Sequence, residues 1–165
     1  MKQLWAPWRM TYLKGEHKKV EGCLFCAKLD QDDAEEQILY RGEYAYVTLN
    51  RFPYTNGHLL IVPYVHTGLL EELDDAISLE LMRLVRASLG ILRQVYRPDG
   101  FNIGVNEGAA AGAGVAEHVH IHIVPRWSGD VNYMTVVAET RIIPQTLEET
   151  YTLFRPCFER LNFLS

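Results

Sequence analysis

The sequence lacks any uninterrupted apolar run of the roughly 20 residues that a membrane-spanning helix needs. Its start, residues 1–9, also lacks the apolar central stretch of a secretory signal peptide. No part of the chain repeats another part, and no low-complexity linker marks a second domain. We therefore expect a cytoplasmic protein with no membrane partner, folded as a single domain over residues 1–165.

Basic residues are fewer than acidic ones, with 16 Lys and Arg residues against 21 Asp and Glu residues and a net charge of −5. Proteins that bind a nucleic-acid backbone usually carry a basic surplus, so we expect no nucleic-acid partner. The deficit does not exclude a small phosphate ligand, because backbone N–H groups and a few local cations are enough to hold one.

Cysteine is scarce as well. Cys23, Cys26 and Cys157 are too few and too unevenly spaced for a disulfide framework. The pair Cys23 and Cys26 allows three interpretations. It could be a redox pair, which would need a strand before it and a helix after it, or two unrelated buried cysteines. It could also be half of a zinc site, which needs two more ligands, usually histidines.

Hydrophobic periodicity predicts one helix, and a capping-box spacing predicts a second. Apolar side chains recur at spacings of three and four over Asp75–Tyr96, and Pro98 stops this long helix. Thr146 and Glu149 have the spacing of a capping box, which opens a second helix that we expect Pro156 to interrupt.

Runs rich in β-formers predict strands over residues 44–49, 58–62, 101–105 and 118–124. We interpret the acidic stretch 30–37 as a solvated loop. Residues 1–22 are aromatic and basic without a clear period, and we expect an arm packed on the surface or on a partner subunit.

Three histidines alternate with aliphatic residues in the strand predicted over residues 118–124. Successive side chains of a strand point to opposite faces, so His118, His120 and His122 share one face while the aliphatic residues suit burial against the long helix. A row of imidazoles has little use for stability, and three adjacent positions on one face converge on a small ion only with help from elsewhere. Imidazole acts as nucleophile, acid or phosphate donor near neutral pH, so the row predicts a catalytic site.

A loop of small residues, 107–116, leads directly into this strand. Gly112 and Gly114 lack side chains that would keep a phosphate away from backbone N–H groups. The loop therefore predicts a site for a substrate phosphate beside the histidines.

The pattern over residues 118–124 resembles the signature of the histidine triad family, in which histidines alternate with hydrophobic residues. Residues 57–63 resemble the second strand of that family, and residues 101–106 the strand before the triad. The likeness runs from about Cys23 to Arg126. Beyond it, residues 4–10, 125–130 and 143–145 resemble the branch of the family that contains bacterial diadenosine tetraphosphate phosphorylases.

This resemblance implies an α+β fold, in which an antiparallel sheet of about five strands packs against one long helix, with a C-terminal helix in the extension 127–165. It implies a homodimer, a substrate that is an adenine nucleotide or dinucleotide, and no organic cofactor.

The resemblance also implies roles for single residues. His120 would be the nucleophile that forms a covalent nucleotidyl-histidine intermediate, and His122 would contact the α-phosphate. Asn106 would hydrogen-bond a phosphoryl oxygen, and His58 would lie near the phosphates. Asn50 falls where many members carry a ribose-binding acidic residue, so we expect an altered ribose contact there.

The loop before the triad departs from the family. Many members supply a serine or glutamine side chain to the leaving group there, but residues 112–116 offer only backbone amides. Glu117 is a candidate acid for the leaving group, although strand alternation turns it to the opposite face from His118.

Zinc-bearing members of the family pair two cysteines with the histidine after the second strand and with the first triad histidine. The corresponding residues here are Cys23, Cys26, His66 and His118. The resemblance therefore implies a structural, tetrahedral zinc that braces the strand.

An imidazole nucleophile divides nucleotidyl transfer into two displacements. The substrate first loses its leaving group to His120, and inorganic phosphate or water then removes the nucleotide. We expect a diadenosine tetraphosphate phosphorylase. The alternatives are a hydrolase of dinucleoside polyphosphates, adenylates or nucleoside phosphoramidates, and a nucleotide-binding regulator with little turnover.

Overall fold

Five antiparallel strands form one sheet in the computed structural model, which describes residues 22–130 and 143–161. The strands are β1 (Ile38–Arg41), β2 (Ala45–Leu49), β3 (Leu59–Pro63), β4 (Gly100–Val105) and β5 (Ile121–Arg126). Their order in the sheet is β1-β2-β3-β5-β4. This architecture confirms the expected α+β fold.

Helices flank this sheet. They are α1 (Leu24–Ala27), α2 (Asp33–Glu36), α3 (Asp75–Tyr96) and α4 (Leu147–Glu159). Short 3₁₀ turns lie at Lys28–Asp30, Leu70–Glu72 and Ala109–Ala111. Within the two described stretches, no helix is both long enough and apolar enough to cross a membrane.

Helix α3 has the bounds that its periodicity predicted. Its buried stripe consists of Leu81, Leu84, Val85, Ser88, Ile91 and Leu92. The helix contacts β2, β3 and β5, so this stripe covers the middle of the sheet. It ends at Arg97, whose φ of 48° is left-handed, and Pro98 follows.

The sheet separates two apolar clusters because strand side chains alternate between its faces. The larger cluster lies under α3 and includes Val119, Ile121 and Ile123. The smaller one lies on the opposite face and consists of Phe25, Ile38, Tyr46, Leu60 and Val62. The aliphatic residues between the histidines therefore lie under the long helix, as the alternation predicted.

Helix α4 begins with the predicted capping box. The hydroxyl of Thr146 accepts a hydrogen bond from the Glu149 amide at 3.1 Å, and the Glu149 carboxylate accepts one from the Thr146 amide at 2.8 Å. The expectation that Pro156 interrupts this helix is wrong, because α4 continues to Glu159. Phe154 and Phe158 are fully buried on either side of Pro156, and their packing outweighs the lost backbone hydrogen bond.

The interpretation of residues 30–37 as a solvated loop is wrong in one part: the stretch is exposed or half-buried, but it contains the short helix α2. Asp32 caps a short helix there, because its Oδ1 accepts hydrogen bonds from the amides of Ala34 at 2.9 Å and Glu35 at 3.2 Å. Gln37, with a left-handed φ of 61°, ends this helix, and β1 follows at Ile38. Strand β1 is too short to produce a clear pattern, so it was not among the strands that periodicity predicted.

The triad strand begins later than expected. β5 starts at Ile121 rather than at His118. The amide of Val119 instead donates to the carbonyl of Thr67 at 2.7 Å, in the segment that follows β3. His118 and His120 therefore precede the strand, and only His122 lies within it.

Part of the predicted organisation lies outside the described residues. This applies to residues 1–21 of the arm predicted over residues 1–22, to the motif at residues 4–10, and to residues 131–142 and 162–165 of the extension 127–165. The described part of that extension includes α4, which contacts β1 and α3.

We predict that Gly57→Ala destabilises the protein. Gly57 precedes His58 with a φ of +72°, and an added Cβ would lie 2.8 Å from Cε2 of Tyr96 and 3.0 Å from Cδ2 of Leu92. The free energy of unfolding, measured by urea denaturation, should fall by about 1–3 kcal/mol.

The matched control is Gly90→Ala, in the middle of α3, where an added Cβ meets nothing within 4 Å. That change should raise the free energy of unfolding by up to about 1 kcal/mol, since alanine favours helix over glycine. A Gly57→Ala variant as stable as the Gly90→Ala variant would contradict the prediction.

Candidate active site

The three triad histidines lie in one row beside Phe25. The ring centroids of His120 and His122 are 4.8 Å apart. The ring of Phe25 lies 5.4 Å from that of His118 and 4.7 Å from that of His120. Because Phe25 belongs to the cluster on the face opposite α3, the histidines occupy that face as well.

The backbone holds the neutral ring of His120 in one tautomer. Its Nδ1 lies 2.8 Å from the carbonyl oxygen of His118. A carbonyl oxygen only accepts hydrogen bonds, so the proton of the neutral ring is on Nδ1 and Nε2 has a free lone pair. Burial lowers the pKa of His120, which keeps the ring neutral near pH 7. A neutral imidazole with a free Nε2 lone pair is suited to nucleophilic attack.

His122 pairs with His58. Nε2 of His58 lies 3.0 Å from Nδ1 of His122. Burial, together with the nearby His120, lowers the pKa of His122 to about 4. His58 is only 1% exposed, so it lies behind His122, where its imidazole contacts protein groups.

Asn50 lies beside His58 at the end of β2. Its Nδ2 is 3.3 Å from Nδ1 of His58, and its Oδ1 accepts a hydrogen bond from the amide of Phe52 at 2.9 Å. The two predicted substrate residues Asn50 and His58 therefore contact each other.

Asn106 directly follows the last pair of the β4–β5 ladder. Val105 pairs with Ile121 there, so Asn106 and His120 are the two residues immediately beyond the paired region. Asn106 is half-buried at this position.

The glycine-rich loop joins β4 to the triad. The amide of Gly112, which has a φ of +87°, donates to the carbonyl of Ala109 at 3.0 Å, so this amide is engaged within the loop. Gly114 is exposed nearby. The amide of His118 donates to the carbonyl of Val115 at 3.4 Å, and this bond ties the end of the loop to the start of the triad.

The four predicted metal ligands converge. One ligand atom from each of Cys23, Cys26, His66 and His118 lies within 4.8 Å of all the others. Cys23 caps α1 and Cys26 lies within it, while His66 follows β3.

The donor set fits a tetrahedral zinc. Nε2 of His118 lies 2.9 Å from the carbonyl oxygen of Pro63, so the proton of the neutral ring is on Nε2 and Nδ1 has a free lone pair. That Nδ1 lies 3.2 Å from Sγ of Cys23 and 3.6 Å from Sγ of Cys26, and Nδ1 of His66 lies 3.5 Å from Sγ of Cys26. Tetrahedral zinc with usual bond lengths places sulfur and nitrogen ligands about 3.6 Å apart.

This geometry divides the roles of His118 between its ring and its backbone. The fully buried imidazole faces Pro63 and the two cysteines. Its carbonyl oxygen accepts the hydrogen bond from His120. The metal-ligand cluster and the nucleophile candidate are thus connected through one residue.

Comparison with known proteins agrees with this geometry. The HIT domain family model matches residues 31–129. A protein of Mycobacterium tuberculosis named AP-4-A phosphorylase is 38% identical over 160 residues, which are 93% of this chain and 82% of that protein. The chain belongs to the histidine triad family.

The chain is thus a nucleotide-processing enzyme of the histidine triad family, and two further proteins are similar to it. The crystal structure of a zinc-bound histidine triad family protein from Mycobacterium smegmatis superposes with a TM-score of 0.67 at 29% identity, covering 84% of this chain and 94% of that one. The bis(5'-adenosyl)-triphosphatase of Saccharomyces cerevisiae is 33% identical over 103 residues, which are 59% of this chain and 50% of that protein.

Two aromatic residues of this histidine triad site were not predicted. Phe25, only 3% exposed, packs against the rings of His118 and His120. Tyr54 lies with its ring nearly parallel to that of His122, at 6.2 Å. The position of Phe25 between two cysteines was a usable signal, whereas nothing in the loop sequence distinguished Tyr54.

We predict that His122 stays neutral well below pH 6.5. Its pKa is about 4 in the folded protein and near 6.5 in the unfolded chain. As the pH falls, the unfolded chain binds the proton first, so His122 lowers the free energy of unfolding between about pH 6.5 and pH 4. The NMR shift of its Cε1 proton as a function of pH should titrate near pH 4. A midpoint near 6.5 would show that the ring is not desolvated.

Proposed function

We propose that this histidine triad protein is a diadenosine tetraphosphate phosphorylase with His120 as its nucleophile. The observation that carries the proposal is the free Nε2 lone pair of the neutral, buried His120 ring. The AP-4-A phosphorylase of Mycobacterium tuberculosis, at 38% identity over 93% of this chain, supports the choice of substrate.

The first step is an in-line displacement at the α-phosphorus. Nε2 of His120 forms a P–N bond, and the bond between the α-phosphorus and its bridging oxygen breaks. The electron pair of that bond leaves with ATP. Positioning and charge stabilisation dominate the catalysis of such transfers, so the proposed tasks of His122 and Asn106 are to donate hydrogen bonds to the phosphoryl oxygens.

The second step regenerates the enzyme. An oxygen of inorganic phosphate attacks the same phosphorus, the P–N bond breaks, and ADP leaves while Nε2 recovers its lone pair. With water as acceptor, the product would be AMP. The acceptor therefore separates a phosphorylase from a hydrolase.

A hydrolase is the second candidate function. The likeness to the bis(5'-adenosyl)-triphosphatase of Saccharomyces cerevisiae favours it, at 33% identity over 59% of this chain. Adenylates and nucleoside phosphoramidates would be alternative substrates for the same nucleophile. A nucleotide-binding regulator with little turnover is the third possibility, and an intact row of histidines opposes it.

We predict that turnover of diadenosine tetraphosphate requires inorganic phosphate and His120. With phosphate, the products should be ADP and ATP. Without phosphate, the reaction should stall after labelled AMP has become attached to the protein. His120→Ala should lower kcat by at least about 1000-fold and leave no adduct, because the nucleophile is missing. Chromatography of the nucleotides and mass spectrometry of the protein measure both results.

The acceptor and the nucleophile are tested separately by this experiment. Production of AMP and ATP at the same rate with and without phosphate would contradict the phosphorylase and favour the hydrolase. An adduct that persists in His120→Ala would contradict the nucleophile. Absence of both turnover and adduct in the unsubstituted protein would favour the regulator.

We further propose that Cys23, Cys26, His66 and His118 hold a structural zinc ion. Their convergence within 4.8 Å and the free Nδ1 lone pair of His118 support this assignment. The zinc-bound relative from Mycobacterium smegmatis also supports it. Four protein ligands close the coordination sphere, so such a zinc would brace the start of the triad without activating water.

We predict that purified protein contains about one zinc ion per chain and that Cys26→Ser removes it. Because binding energy at a structural site contributes to folding, the thermal midpoint of Cys26→Ser should fall by about 10 °C or more. Cys157→Ser is the matched control, since Cys157 lies outside the cluster and should keep both metal and stability. Negligible zinc together with an unchanged stability of Cys23→Ala would contradict the site.

We also propose that the protein is a homodimer that pairs through β4. Among the five strands that the structure describes, β4 is an edge of the sheet, and Ile103 on it is 48% exposed. An open edge with an apolar side chain favours pairing with a second copy.

Sedimentation equilibrium tests this proposal. It should give twice the 18.9 kDa chain mass, and Ile103→Lys should shift the mass toward the monomer. The control Leu153→Lys, at a 42% exposed position on α4, should remain dimeric. A monomeric unsubstituted protein would contradict the dimer.

A further inference from the structure

We propose that His58 is a positioning residue that keeps the proton of His122 on Nε2, so that His122 presents an N–H group rather than a lone pair. The tautomer follows from the hydrogen-bond geometry alone. Its use in catalysis rests on the function proposed above.

The direction of this hydrogen-bond chain is determined at a backbone amide. The N–H of Tyr54 lies 3.1 Å from Nδ1 of His58. A backbone amide only donates, so Nδ1 of His58 must accept, and the proton of the neutral His58 ring is on Nε2. Protonating Nδ1 as well would place two donors against each other.

Asn50 contacts the same ring without selecting one of its two nitrogens. Its Oδ1 accepts from the amide of Phe52 at 2.9 Å, which determines the orientation of the side-chain amide. Its Nδ2 is therefore turned toward His58 and lies 3.3 Å from Nδ1 and 3.4 Å from Nε2. The amide of Tyr54 alone therefore determines the tautomer of His58.

The next hydrogen bond runs from His58 to His122. Nε2 of His58 carries the proton and donates it in the 3.0 Å hydrogen bond to Nδ1 of His122. His58 is 1% exposed, so water does not compete for this bond. The proton of the neutral His122 ring is consequently on Nε2, on the side of the ring away from His58.

The loop that carries the Tyr54 amide is held on both sides. The hydroxyl of Thr55 donates to the carbonyl of Pro125, in β5, at 3.0 Å. The side-chain amide of Asn56 donates to Oε1 of Gln145, just before α4, at 3.3 Å. These bonds keep the first donor of the chain in place relative to the triad strand.

The neighbouring imidazoles of His120 and His122 are therefore held in opposite tautomers, each by its own hydrogen bond. His120 has its proton on Nδ1 and a lone pair on Nε2, because it donates to the carbonyl of His118. His122 has the reverse arrangement, and the two rings are 4.8 Å apart. One ring can attack a phosphorus while the other donates to an oxygen that gains charge on the same phosphoryl group. A lone pair on Nε2 of His122 would repel that oxygen.

The test compares His58→Phe with the conservative variant His58→Gln. Phenylalanine fills the same space without a hydrogen bond, whereas the glutamine amide can still donate to Nδ1 of His122. In the unsubstituted protein without ligand, the ring ¹⁵N shifts of His122 should show a protonated Nε2 and an unprotonated Nδ1. In His58→Phe, both tautomers should appear.

The kinetic readout distinguishes positioning from substrate binding. His58→Phe should lower kcat for diadenosine tetraphosphate about 10- to 100-fold, as for loss of one donor to the transition state, with KM changed less than about threefold. His58→Gln should recover most of kcat and the single tautomer. If His58→Phe does not fold, the ring shifts of the unsubstituted protein and of His58→Gln still decide the tautomer.

A proton on Nδ1 of His122 in the unsubstituted protein, or an unchanged tautomer in His58→Phe, would overturn the proposal. Mixed tautomers in His58→Phe with an unchanged kcat would also overturn the positioning role. The ring shifts are measured without substrate. A protein that shows the expected shifts but no nucleotidyl transfer would therefore contradict the proposed function and leave the tautomer confirmed.

Discussion

The hydrogen bond from Nδ1 of His120 to the carbonyl oxygen of His118 determines which nitrogen of the central triad histidine has a free lone pair. The bond requires the backbone at His118 to be held in one place. Two contacts hold it: the amide of Val119 donates to the carbonyl of Thr67, and Nε2 of His118 donates to the carbonyl of Pro63. The nucleophile candidate thus depends on the segment around β3 as much as on its own strand.

The same dependence explains why the metal-ligand cluster lies beside the triad. The imidazole of His118 faces the two cysteines and its carbonyl oxygen faces His120, so a metal bound there would restrain the acceptor of the critical hydrogen bond. Phe25, between the cysteines, also packs on His120. The short helix α1 is therefore part of the wall of the site although it contributes no reacting group.

Much of the fold could be predicted from patterns that are local in the chain. The period of Asp75–Tyr96, the capping box at Thr146 and the alternation around His120 depend only on helix and strand geometry, and the structure agrees with each. The errors arose where distant contacts decide. Pro156 does not end α4 because Phe154 and Phe158 are buried by other elements, and β5 begins at Ile121 because Val119 pairs with Thr67. The site followed the same division: its histidines could be identified from their spacing, but the burial of His58 behind His122 could not.

The sequence by itself determined that three imidazoles share one side of an alternating segment and that a glycine-rich loop directly precedes them. Strand alternation is a property of the backbone, so it follows from residue order alone. Only the tertiary structure decided where the protons of those imidazoles lie. The proton of His118 is placed by the carbonyl of Pro63, which is remote in sequence, and that of His58 by the amide of Tyr54, which a turn brings near. The proton of His122 is placed in turn by the distant side chain of His58. An imidazole has no intrinsic tautomer strong enough to resist its hydrogen-bond partner, and residue order does not specify those partners.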